Sequence, residues 1–97
     1  MSFVQIIEMR SSKFAELQEL GDEWERAPEA KRTVRRRVLC EDRDNPGRHF
    51  NIVFFDSYAS AMENSALAET TDLSAKMEAL LDAPPIFVNL DVLEERG

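Results

Sequence analysis

At 97 residues the chain has the length of one domain, expected over residues 1–97, and such a chain buries roughly 65% of its unfolded surface without needing covalent staples. A hydrophobic fraction of 43% beside a charged fraction of 32% is that of a water-soluble globular protein. The net charge of −7 repels phosphate backbones and anionic bilayers, which argues against nucleic acid and membranes as partners.

The opening run MSFVQIIEMRSS has no basic leader followed by a long apolar stretch, so no signal peptide is expected. Nowhere does an apolar run approach the ~18 residues of a membrane span. Phe3 to Met9 reads as the first strand: Val4 and Ile6 fall on one face, Phe3, Gln5, Ile7 and Met9 on the other. Ser11 or Ser12 offers an N-cap to a helix running to about Arg26. Phe14, Leu17, Leu20 and Trp24 recur at three- and four-residue spacing, a single apolar stripe with acidic residues mostly off it. Gly21 costs that helix roughly 1 kcal/mol relative to alanine, which points to a close approach by something packed nearby. Pro28 ends the helix.

The basic cluster Lys31, Arg32, Arg35, Arg36 and Arg37 is flanked by acids and has no interleaved aromatics on which bases would stack. Thr33 to Cys40 is the second strand, with Val34, Arg36, Val38 and Cys40 expected on one face and Arg35, Arg37 and Leu39 on the other. Its arginines suit a sheet edge. Cys40 has no cysteine to pair with, which favours a reducing, cytoplasmic location. Asn45-Pro46-Gly47-Arg48 suits a type II turn, with proline fixing φ at its second position and glycine supplying positive φ at its third. The hairpin leads into the third strand, RHFNIVFF. His49, Asn51, Val53 and Phe55 share one face of it, Phe50, Ile52 and Phe54 the other, so it needs cover on both sides.

Asp56 or Ser57 then caps a helix carrying Tyr58, Ala61, Met62 and Ser65 on one side. A break is expected near Leu67 to Thr70, with Thr70 or Thr71 capping a further helix whose stripe is Leu73, Met77, Leu80 and Leu81. Pro84-Pro85 stops it, and Ile86 to Leu93 forms the last strand. The order β-α-β-β-α-β is that of an α+β, ferredoxin-like sandwich: an antiparallel four-stranded sheet with helices on one face. Apolar groups on its other face predict a homodimer packed sheet against sheet.

The run DNPGRHFNIVFFDSYASAM, followed by Asn64 and Ser65, resembles the dimeric α/β-barrel superfamily, and within it the antibiotic biosynthesis monooxygenase-like (ABM-like) domains. Asp44, Pro46 and Gly47 resemble the family's hairpin, Phe55, Asp56 and Ser57 its strand end, and Ala61-Met62 its helix step. The resemblance implies a dimeric barrel and cofactor-independent oxygenation, in which the substrate supplies the carbanion and the protein positions it and manages a proton. Relatives often carry histidines on the helix after the third strand, where this chain has Asn64 and Ser65, and a tryptophan where it has Phe55. Haem chemistry is therefore not implied, and no metal or other cofactor is expected.

Among single residues, His49 is the lone histidine and with Asn51 is the candidate for proton handling. The plainer alternative for His49 is a polar residue at a strand end. Trp24, Arg36, Phe55, Tyr58 and Asn64 are candidates to line a pocket for a small hydrophobic or aromatic ligand. Gln5, Asn51, Arg36, Asn89 and Asp91 interrupt apolar strands, and either line a cavity or pair among themselves. Two functions stay open: an oxygenase-like enzyme, and a dimeric binding or interaction module without catalysis.

Overall fold

The hairpin around Gly47 sets the register of the sheet. In the computed structural model, which describes residues 2–25, 33–66 and 68–97 (without the side chains of residues 24, 25 and 68–70), Arg48 N–H donates to Asn45 O at 3.2 Å and Gly47 has φ of +94°. That is the expected type II turn, and only glycine takes this φ without a steric penalty. Asp42 closes the loop beneath it: its backbone N–H donates to Arg48 O at 2.8 Å, and its carboxylate accepts from Asp44 N–H at 2.9 Å.

The elements are β1 (Phe3–Arg10), α1 (Phe14–Glu25), β2 (Val34–Glu41), β3 (Arg48–Phe55), α2 (Tyr58–Ser65), α3 (Ala68–Ala79) and β4 (Ile86–Asp91). The four strands form one antiparallel sheet in the order β2-β3-β1-β4, so the arginine-bearing β2 is an edge strand. The helices cover one face, which makes the fold the expected ferredoxin-like α+β sandwich. Pro28, Lys31, Arg32 and Leu67 lie outside the described residues, and so does the ring of Trp24.

Three local expectations change. Val34 pairs with Phe55 and Arg36 with Phe54, a bulge of one extra residue that turns Val34 onto the helix side, away from Val38 and Cys40. There Val34 packs on the core of Phe3, Val53, Phe55 and Ala61. On α2 it is Ala61 and Asn64 that are buried, while Tyr58 and Met62 are exposed. Thr70 and Thr71 fall inside α3, which already begins at Ala68, so neither caps it. Ser57 caps α2, its Oγ accepting from Ser60 N–H at 3.1 Å, while Ser11 Oγ accepts from Lys13 N–H at 2.9 Å in the turn that leads into α1.

The helix-covered face is filled at its two ends. At one, the Phe3 ring meets Tyr58 edge-on at 5.4 Å and Phe55 at 6.3 Å. At the other, Met9 pairs with His49, whose ring stacks on Phe14 at 4.4 Å. On the uncovered face, Val38, Ile52, Ile6 and Val88 form one row across all four strands, and Arg36, Phe54, Val4 and Leu90 form the next. Ile86, Val88 and Leu90 are 54%, 41% and 42% exposed, too much contiguous apolar surface to be random.

One end of that face is polar. Arg48 bonds Glu8 at 2.6 Å and Asp42 at 2.9 Å, with its guanidinium 4.8 Å from the Phe50 ring centroid. The Asp42 carboxyl is held below its usual range, first by the Asp44 N–H and then by the Arg48 hydrogen bond. A carboxyl that ionises more readily when folded stabilises the fold above its unfolded pKa of about 4, and that stabilisation is lost as pH falls through the lower native value. Asp42→Asn should therefore unfold at lower urea than the parent at pH 6, with the difference shrinking below about pH 4. Urea midpoints taken from pH 7 to pH 2 test this, and a constant difference across the range contradicts the linkage.

Candidate functional site

Between the two filled ends lies a cavity of about 400 Å³ under α2 and α3. Its floor comes from the middle of the sheet, where Ile7, Asn51 and Val53 stand beside Arg37 on β2 and Phe87 on β4. Its roof includes Asn64, Leu73, Ser74 and Met77. Val34, Phe55 and Gly21 stand among its walls. That size falls in the range of small-ligand sites, and mostly apolar walls with a few polar groups are their usual composition.

The polar strand residues divide into two groups. Gln5 Nε2 donates to Asn89 Oδ1 at 3.1 Å, so these two satisfy each other across β1 and β4. Asn51 Oδ1 and Asn64 Oδ1 are buried and accept no hydrogen bond. An amide oxygen left so costs about 1–3 kcal/mol, and groups of this kind need an explanation. Asn64 reaches the cavity because Ala61, one turn earlier, is small enough to bring α2 down onto the sheet.

Of the remaining candidates, Phe55 lines the cavity. Arg36 lies on the uncovered face, its guanidinium 5.4 Å from the Phe54 ring centroid, because it alternates with Arg37, which pairs with Val53 on the helix side. Tyr58 is 58% exposed and packs its edge on Phe3, outside the cavity walls. His49 is only 1% exposed. It borders a second, smaller cavity of about 50 Å³ with Met9, Phe14 and Leu17, room for a water but not for a ligand. Glu41 Oε2 lies 3.2 Å from His49 Nε2, yet neither ring nitrogen has an aligned hydrogen bond. The stacked Phe14 ring covers one face of His49, which is not among the lining residues of the larger cavity.

Sequence reasoning missed Arg37 as a lining residue. Residue alternation counted from Val34 did place it opposite Val38, and that was the available signal. Among the described residues no cluster of three or more histidine, cysteine, aspartate or glutamate side chains is arranged to hold a metal ion. No described helix is long and apolar enough to cross a membrane.

No family model matches the chain, and no curated protein sequence does. Solved structures do match in fold. A protein from Caulobacter crescentus, proposed to be an antibiotic biosynthesis monooxygenase, superposes with a TM-score of 0.82 at 14% identity, over 96% of this chain and 91% of that one. Rv0793 from Mycobacterium tuberculosis gives 0.81 at 19% identity over the full length of both chains. SnoaB from Streptomyces nogalater, a cofactor-independent oxygenase solved as an asparagine-to-alanine mutant, gives 0.78 at 12% identity over 97% and 95%. At such identities the likeness is one of fold, the fold of the ABM-like structures that the hairpin and strand-end motifs resemble.

Because Asn64 leaves a buried oxygen unpaired, Asn64→Leu should raise stability by about 1 kcal/mol, seen as a higher urea midpoint at unchanged slope. A lower midpoint would mean that the amide is needed by the fold and is not held in reserve for a ligand.

Proposed function

We propose that the chain is one protomer of a homodimer that binds a small, apolar, ring-bearing molecule between its sheet and its helices. The observation that carries this reading is the pair of buried, unpaired amide oxygens of Asn51 and Asn64 on a largely apolar cavity of about 400 Å³. Such oxygens are satisfied by a ligand carrying hydroxyl or N–H donors, while Val53, Phe55, Leu73 and Met77 take its rings. The dimer is supported by the uncovered sheet face, whose apolar rows run from β2 to β4. Two copies related by a twofold axis cover each other with the same residues. A lone, half-buried Cys40 on that face suits a reducing, cytoplasmic setting.

The reaction best suited to the site is oxygenation without a cofactor, supported by the shared fold with SnoaB. The substrate provides the electrons: one 1-naphthol and one O₂, for example, balance as one naphthoquinone and one water. The described residues lining the cavity include no imidazole, thiol or carboxyl group. A substrate oxidised there must lose its proton to water, with Arg37 nearby to favour the anion. The same shortage of a base favours a second reading, a binding module that holds its ligand without changing it.

1-Naphthol should bind saturably, and Ser74→Trp, which fills the cavity, should abolish binding; equal affinity in the two proteins contradicts the assigned site. Oxygen uptake above the protein-free rate supports the oxygenase, and saturable binding without uptake supports the module. Ile52→Asp, placing a charge in the middle of the uncovered face, should shift the particle mass on light scattering from dimer to monomer. A parent protein that is monomeric at ~100 µM contradicts the assembly, since a stable interface of standard size holds well below that concentration.

A further inference from the structure

Gly21 sits in the interior of α1, where alanine would favour the helix by about 1 kcal/mol. The reason lies across the cavity wall. A Cβ at position 21 would stand 3.2 Å from Arg37 Nη2, 3.3 Å from Nη1 and 3.6 Å from Cζ. All three nearest atoms belong to one guanidinium, so the group lies against the helix backbone at a place that only glycine leaves open. Both residues line the larger cavity. Arg37 is the one charged residue among its described lining residues.

We propose that the ligand of this cavity is a ring-bearing carboxylic acid, its carboxylate received by Arg37 and its hydroxyl or N–H donor by Asn51 and Asn64, with Gly21 positioning the guanidinium. This rests on the small-molecule reading above. A guanidinium presents its N–H groups in a planar fork that matches the two oxygens of a carboxylate, and in an apolar setting that pairing is strong and directional. Five donors allow Arg37 to keep its contacts within the protein and still bind the ligand. The amide oxygens cannot take the carboxylate, because an acceptor repels an acceptor, so the guanidinium and the amide oxygens select two different groups of one molecule. The discrimination is local: the chain's net charge of −7 disfavours anions at long range, where salt screens the field.

Gly21→Ala separates positioning from folding. The atoms that must yield are the far end of a flexible side chain, so the protein should keep or raise its melting temperature while the guanidinium is displaced by a few tenths of an ångström. The experiment is calorimetric titration of parent, Gly21→Ala and Arg37→Gln with 1-naphthoate and 1-naphthol. The parent should bind 1-naphthoate about tenfold or more tighter than 1-naphthol. Arg37→Gln should erase that preference, weakening 1-naphthoate far more than 1-naphthol. Gly21→Ala should weaken 1-naphthoate several-fold and 1-naphthol by less. Should Arg37→Gln fail to fold, Gly21→Ala decides alone. Binding of 1-naphthol without any preference for 1-naphthoate, or a preference untouched by both substitutions, overturns carboxylate recognition and leaves the cavity standing as a binding site. Failure of the parent to bind either compound overturns both readings.

Discussion

The third strand carries large apolar groups on both faces, and one layer of helices covers only one of them. That imbalance organises the molecule. On the covered side β3 contributes Val53 and Phe55 to the core and His49 to the stacked pair with Phe14. On the other side Phe50, Ile52 and Phe54 join the apolar rows from β1, β2 and β4. A monomer with such a face leaves Ile86, Val88 and Leu90 exposed in one apolar patch, the kind that marks an interaction surface. Covering it with a second copy is the proposed solution, and the Arg48–Glu8–Asp42 network at one end then marks where apolar contact gives way to ion pairs.

The cavity follows from how the covered side is filled. Aromatic rings close it at the Phe3 end, and Met9, Phe14 and His49 close it at the other. The middle rows hold Gln5, Arg37 and Asn51 in place of large apolar side chains, and polar groups do not interdigitate into a dry core. Gln5 is satisfied by Asn89, while the oxygens of Asn51 and Asn64 are not satisfied within the chain. Stability given up at specific buried atoms, beside a space of ligand size, is the usual mark of a binding site.

The position of Val34 shows what a one-residue irregularity does to a strand. Without the bulge between Val34 and Arg36, strand alternation would keep Val34 and Arg36 on the same face. With it, Val34 joins the core, while regular alternation from Arg36 onward puts Arg36 over Phe54 on the uncovered face and Arg37 at the cavity against Gly21. Two neighbouring arginines of the same chemistry thus face the proposed partner subunit and the proposed ligand respectively.

The sequence alone determined the element order, the type II turn at Pro46-Gly47, the edge position of β2, the two-sided character of β3 and the presence of a close neighbour at Gly21. Each of these depends on local backbone preference or on period-two and period-3.6 patterning, which are written in the order of residues. It also singled out Asn51, Asn64 and Phe55 as lining candidates. Tertiary structure decided which polar residues pair with each other, because Gln5 and Asn89 are 84 positions apart and meet only through strand register. It decided that His49 is buried against Phe14 and that Arg37, not Arg36, reaches the cavity. Those outcomes depend on which face of the sheet the helices cover and on how a helix packs over it, and neither leaves a periodic trace in the chain.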